Sequence, residues 1–165
     1  MAKPRLLINR ARVIVVEWPA EIDTGELGEH FREVVDLFDE VKRSVVFVVD
    51  LTCSKGLKAS LRLVAARGVG GLVARAATRV GGIACVTTSV QLRGELTAIH
   101  WLAPVPFETT IVGTRAEGLR WAELQLARAD TKANEAARRE PIGKGGDRRH
   151  EPIGKGGDRR HEHYR

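Results

Sequence analysis

The sequence predicts one α/β domain with a mixed sheet of about five strands and four helices, followed by a disordered basic tail. Three observations predict it. Short β-branched apolar runs alternate with longer stretches of helical periodicity, the pattern of strands joined by helical crossovers. One run, Ser44 to Leu57 (SVVFVVDLTCSKGL), is almost wholly apolar before it turns polar, as expected of a strand buried on both faces at the sheet centre. From Thr131 the composition changes, and EPIGKGGDRRH at 140–150 recurs unaltered at 151–161. The domain is therefore assigned to residues 1–130 and the tail to 131–165.

Arg5 to Ile8 and Arg12 to Glu17 read as a hairpin that opens the sheet, although its turn lacks the favoured glycine. Asp23 or Thr24 can cap a helix running to about Val41. Leu27, Phe31, Val34, Phe38 and Val41 form its core-facing stripe. Glu26, Glu29, Glu33, Asp36 and Glu40 repeat the rhythm on another face, which is either solvated surface or a docking face for a basic partner.

After the central strand, Leu57 to about Arg79 reads as a second helix. Its Gly68-Val69-Gly70-Gly71 costs a helix about 1 kcal/mol per glycine, so a break or unusually close packing is expected there. Gly82 to Thr87 is the next strand. Thr87-Thr88-Ser89 supplies a cap for a helix over 91–103, which Pro104 and Pro106 close. Thr109 to Val112 is the last strand, and Thr114 caps a helix with Leu119, Ala122, Leu126 and Ala129 on its inner side.

Charge argues against a nucleic-acid-binding body. Of the net +6, +4 belongs to the tail, with ten basic against six acidic residues, and only +2 remains for residues 1–130. Cys53 and Cys85 have no Cys-x-x-Cys spacing, so neither a disulfide scaffold nor a zinc site is indicated. The start, MAKPRLLINR, is too short in apolar residues for a signal peptide and no run approaches a membrane span, so a cytoplasmic location is expected. Each tail repeat has a single apolar side chain beside three glycines and a proline, too little to fold by itself. The tail is a solubilising segment or a phosphate-neutralising contact for nucleic acid or an acidic surface; His161, Glu162 and His163 would hold a metal only weakly.

The element order, with Glu21-Ile22-Asp23 ahead of the first helix and Val49-Asp50-Leu51-Thr52 ending the central strand, resembles the STAS domain, the SpoIIAA-like family of anti-sigma-factor antagonists. The resemblance spans residues 5–129, and 87–121 looks like an uncharacterised bacterial branch. It implies a SpoIIAA-like fold and a non-enzymatic protein-interaction module in bacterial signalling or assembly. In that family the loop after the central strand carries an Asp-Ser-Ser-Gly-Leu element whose second serine is phosphorylated by a partner kinase. Here the match is Ser54-Lys55-Gly56-Leu57, with Lys55 at the phosphoacceptor position and Ser54 as the remaining candidate. A phosphate on Ser54 would meet the start of the second helix, Lys55 and Lys58.

The partner surface expected on these grounds is Thr52, Ser54, Lys55, Lys58 and Arg62, the three basic residues sharing one face. The alternative is a small anionic or lipid-like ligand in a crevice at the carboxyl ends of the strands, rimmed by Asp50, Thr87, Thr88, Ser89 and Arg93. Arg93 could instead pair with Glu95, and ordinary capping accounts for the hydroxyl cluster. Cys53 with His100 is the one conceivable nucleophile and base. The stretch from Trp101 to Phe107 offers an apolar ledge, read as core, as a homodimer surface or, by analogy with lipid-transfer folds of related topology, as a lipid groove. No cofactor is called for.

Overall fold

The apolar run at the middle of the sequence forms the middle of the sheet. The computed structural model describes residues 3–9, 12–41 and 43–139. In chain order these residues form β1 (Arg5–Asn9), β2 (Val13–Glu17), α1 (Thr24–Glu40), β3 (Val45–Asp50) and α2 (Ala59–Ala76). A turn of 3-10 helix at Ala77–Arg79 leads to β4 (Val80–Val86), α3 (Val90–Leu102), β5 (Thr109–Val112) and α4 (Arg115–Arg139). The sheet order is β1-β2-β3-β4-β5. β1 runs antiparallel to β2, and β2 to β5 are parallel.

Both faces of this sheet are covered, which is why β3 is apolar at every position before Asp50. Val45 and Phe47 face α1, α2 and α3, whereas Val46 and Val48 face α4. β2 divides in the same way, with Ile14 and Val16 on the first side and Val13 and Val15 on the second. A period of two in side-chain direction needs two cores if every residue is hydrophobic.

α4 lies close on its face because small residues let it. A β-carbon at Gly118 would stand 3.0 Å from Val48 Cγ1 and 3.2 Å from Val86 Cγ2, and Ala122 is wholly buried. A β-carbon at Gly82 would meet the Trp121 ring at 2.6 Å. On the other face, α1 starts at a capping box in which the Asp23 carboxylate accepts from the Glu26 amide at 2.8 Å, and the Glu26 carboxylate accepts from the Asp23 amide at 3.2 Å. Its far end is closed by Arg79, which donates to the carbonyls of Phe38 and Val41 and lies over the Phe38 ring.

Two local expectations resolve into particular contacts. The glycine-rich stretch of α2 does not break the helix. Gly68 is where α1 crosses it, and a β-carbon there would fall 2.2 Å from the Phe31 ring. The hairpin turn without a glycine uses Arg12 instead, at φ 67°, a left-handed conformation that non-glycine residues rarely take. Its guanidinium donates to the Ser44 carbonyl at 3.3 Å and to Asp130 at 2.6 Å, which ties the turn to α4.

α4 continues past residue 130, where the domain was expected to end, and runs nine residues further, to Arg139. Lys132, Ala133, Glu135 and Arg138 are good helix formers, and no glycine or proline intervenes before Pro141. The tandem repeat, with His161, Glu162 and His163, lies outside the described residues.

Candidate functional site

The loop from Leu51 to Lys58, at the carboxyl end of β3, is braced almost residue by residue. Asp50 Oδ1 accepts from the Thr52 amide at 3.1 Å and the Thr52 hydroxyl at 2.6 Å, a local turn of the kind aspartates favour. The Ser54 amide donates to the Leu51 carbonyl at 3.0 Å, and Ser54 Oγ accepts from the Gly56 amide at 3.3 Å. Gly56 takes φ 120°, which a side chain would strain. The Lys55 amide donates to the Ala20 carbonyl at 3.1 Å, and its ammonium pairs with Glu21 at 2.9 Å, holding that carboxyl below its usual range.

The last brace is Glu95 on α3, which no sequence motif singles out for this role. Its side chain is almost fully buried; Oε2 accepts from the Leu57 amide at 2.7 Å and Oε1 accepts from Gln91 at 2.9 Å. Arg62 approaches the same carboxylate at 3.8 Å and donates to the Leu57 carbonyl at 3.1 Å. Arg62 is thus engaged in holding the loop. Lys55 belongs to the loop and Lys58 is the first cap residue of α2, which begins without a side-chain cap. Thr52, Cys53, Lys55 and Lys58 are exposed, and Ser54 is half-buried.

Across the rim the hydroxyl cluster serves its own turn. Thr87 is buried, its Oγ1 accepting from the Ser89 amide at 3.1 Å, and Ser89 Oγ accepts from the Leu92 amide at 3.3 Å as the cap of α3. Arg93 donates to the Thr87 carbonyl at 3.4 Å rather than pairing with Glu95. Thr88 is exposed. Asp50 looks instead toward Arg115, the first residue of α4, at 3.9 Å, and Arg115 is joined to Glu17 at 2.7 Å. The hydroxyls of Thr87 and Ser89 and the guanidinium of Arg93 are therefore already engaged.

Cys53 and His100 stand far apart. α3 connects parallel strands, so it runs back along the sheet, and His100 in its last turn is about 17 Å along the axis from Ser89. The other body histidine, His30, is buried on α1, on the stripe of Leu27 and Val34 rather than the acidic one. Leu27 to His30 to Val34, at spacings of three and four, is the signal that could have placed it. Cys85, on β4, has its thiol pushed up to about 12 by burial. No group of metal-ligating side chains is found among the described residues, and none of their helices is long and apolar enough to cross a membrane.

A second feature lies beneath this rim. Between the sheet and the layer of α1, α2 and α3 is a cavity of about 350 Å³. None of the five crevice residues lines it.

No family model matches the chain, and no curated protein matches it. Solved structures do. An uncharacterised protein of the DUF3478 family with a SpoIIAA-like fold, from Shewanella loihica, superposes with a TM-score of 0.54 at 11% identity, over 73% of this chain and 93% of that one. An anti-sigma-factor antagonist (STAS) domain protein from Planctomyces limnophilus superposes with a TM-score of 0.50 at 15% identity, over 73% of this chain and 99% of that one. At such identities the shared property is the backbone architecture: the chain has the STAS, or SpoIIAA-like, fold.

Proposed function

We propose that the chain is a non-enzymatic protein-interaction module of bacterial signalling or assembly, docking its partner on the loop of residues 52–58 and the start of α2. The observation that carries this reading is the bracing of that loop. Its backbone is fixed by Asp50, Ser54 and Glu95 while Thr52, Cys53, Lys55 and Lys58 remain exposed. A surface already ordered before contact loses little conformational entropy on binding. The likeness to a STAS-domain anti-sigma-factor antagonist supports a protein as the partner.

Regulation by phosphate at Ser54 fits the same place. The added charge would sit beside Lys58 and the uncapped first amides of α2, which favour an anion. It would also displace the Ser54 bond to the Gly56 amide, so the modification would change the loop as well as its charge.

The test is capture from the lysate of the native host with the intact chain and with Lys58→Glu. Lys58 is exposed, so its substitution should leave the unfolding midpoint almost unchanged. A specific partner held by the intact chain and lost at least tenfold by Lys58→Glu is the expected result. Equal capture by both, or capture that follows the tail when the chain is cut after Arg139, overturns the assignment of the surface. Arg62 is unsuitable for this purpose, since an acidic residue there would face Glu95.

A further inference from the structure

The cavity beneath the helices is almost wholly apolar, and it is long. Its wall extends from Val16 on β2 to Ile111 on β5, three strand spacings or about 14 Å. Thr97, His100 and Thr109 are the exposed residues of its lining, so it opens between α3 and the edge strand β5. At about 30 Å³ for each water-sized group, 350 Å³ holds about a dozen non-hydrogen atoms. A void of this size within a native core is unusual, since interiors pack with few gaps larger than a water.

One polar group breaks the apolar wall at depth. His30 is 3% exposed, lines the cavity, and its Nδ1 is buried with no hydrogen-bond partner. Leaving such a group unmet forfeits its hydration without replacement, and native structures contain few. The rings of Trp18 and Phe31 pack on it edge to face, and neither hydrogen-bonds to Nδ1. Among the described residues, no lysine, arginine, aspartate or glutamate lines the cavity. An ionised ligand would therefore be buried without a counter-ion, which is costly, whereas an uncharged polar group would not. Burial also lowers the His30 pKa to about 4, so the ring is neutral near pH 7.

We propose that this cavity binds one elongated apolar molecule with a single uncharged hydroxyl group, of the medium-chain alcohol class, whose hydroxyl meets His30 Nδ1. A hydroxyl both donates and accepts, so it satisfies either neutral tautomer of the ring. The chain lies under α2 and α3 and enters beside β5. Leu51 and Leu57, at the two ends of the docking loop, belong to its wall, but the proposal does not depend on the function assigned to that loop.

The test is titration of the full-length chain with 1-decanol and with decanoate at pH 7.5, followed by calorimetry and by the fluorescence of Trp18, which lines the cavity. Saturable one-to-one binding of decanol, with decanoate at least tenfold weaker, is expected. In His30→Phe, which keeps an aromatic ring and removes the unmet nitrogen, decanol should bind about tenfold more weakly. Nitrogen NMR of the histidine rings in the unmodified chain gives a reading that needs no variant. The His30 Nδ1 resonance should move on saturation with decanol. Absence of saturable decanol binding, equal affinity for decanoate, unchanged affinity in His30→Phe, or a stationary Nδ1 resonance would each overturn the proposal.

Discussion

The two faces of the sheet are built on opposite rules. On one, α4 lies against β3 and β4 with glycine and alanine at the contact, and the core of Val46, Val48, Ala84 and Val86 is closed by Ala122 and Leu126. On the other, α1 and α2 meet closely at Gly68 and Phe31, yet the layer of three helices stands off the sheet and leaves about 350 Å³ beneath it. The difference teaches where this fold can change shape. Close backbone packing fixes one layer on the strands, while the helices over the cavity meet one another at Gly68 and reach the sheet through longer side chains such as Phe38, which packs against Phe47.

Substitutions of the same kind should have opposite signs on the two faces. Gly118→Leu is expected to have the largest effect, destabilising the chain by about 3 kcal/mol, because its side chain must enter the space held by Val48 and Val86. Urea denaturation measures this, and a loss below about 1 kcal/mol would mean that α4 is not seated as described.

The next effect, on the order of 3 kcal/mol at most, comes from His30. Burial lowers its pKa from 6.5 to about 4, with Glu33 opposing the shift and Lys3 adding to it. Between those values the unfolded chain holds the proton and the folded chain does not. His30 therefore favours the fold fully above about pH 6.5, and that contribution declines as pH falls toward 4. Subtracting the profile of His30→Phe isolates it from the carboxylates; identical slopes for the two chains would show that the ring is not buried neutral. The smallest effect has the opposite sign. Ala65→Val, whose added methyl groups enter the cavity, should stabilise by about 0.5–1 kcal/mol, and a loss like that at Gly118 would erase the distinction between the faces.

Most of the architecture was legible because it is carried by periodicity and punctuation. Alternation and runs of valine placed the strands, and the spacing from Leu27 to Phe38 placed α1 with its cap at Asp23. The end of α4 was not legible from the composition of the tail, since lysine, arginine and glutamate suit a solvated helix as well as a coil. At the site, the sequence located the loop of residues 52–58 but not its fastenings. Glu95 resembles any surface acid on an amphipathic helix until α3 is docked, and the role of Arg62 follows only from where Glu95 lies. The cavity left only a trace in the sequence, the apolar ledge from Trp101 to Phe107, of which Ala103 and Val105 belong to its wall. Its volume is a difference between the space the helices enclose and the side chains that fill it, and no run of residues records that difference.

Glu95 has a consequence beyond bracing a loop. One of its oxygens holds the amide of Leu57 while the other holds Gln91 on its own helix, so α3 and the loop move as a single lever with its fulcrum at that carboxylate. Any outward swing of α3 over the space beneath it pulls on the backbone just before α2. Force applied at either end is felt at the other, and linkage requires that the coupling be equal in both directions.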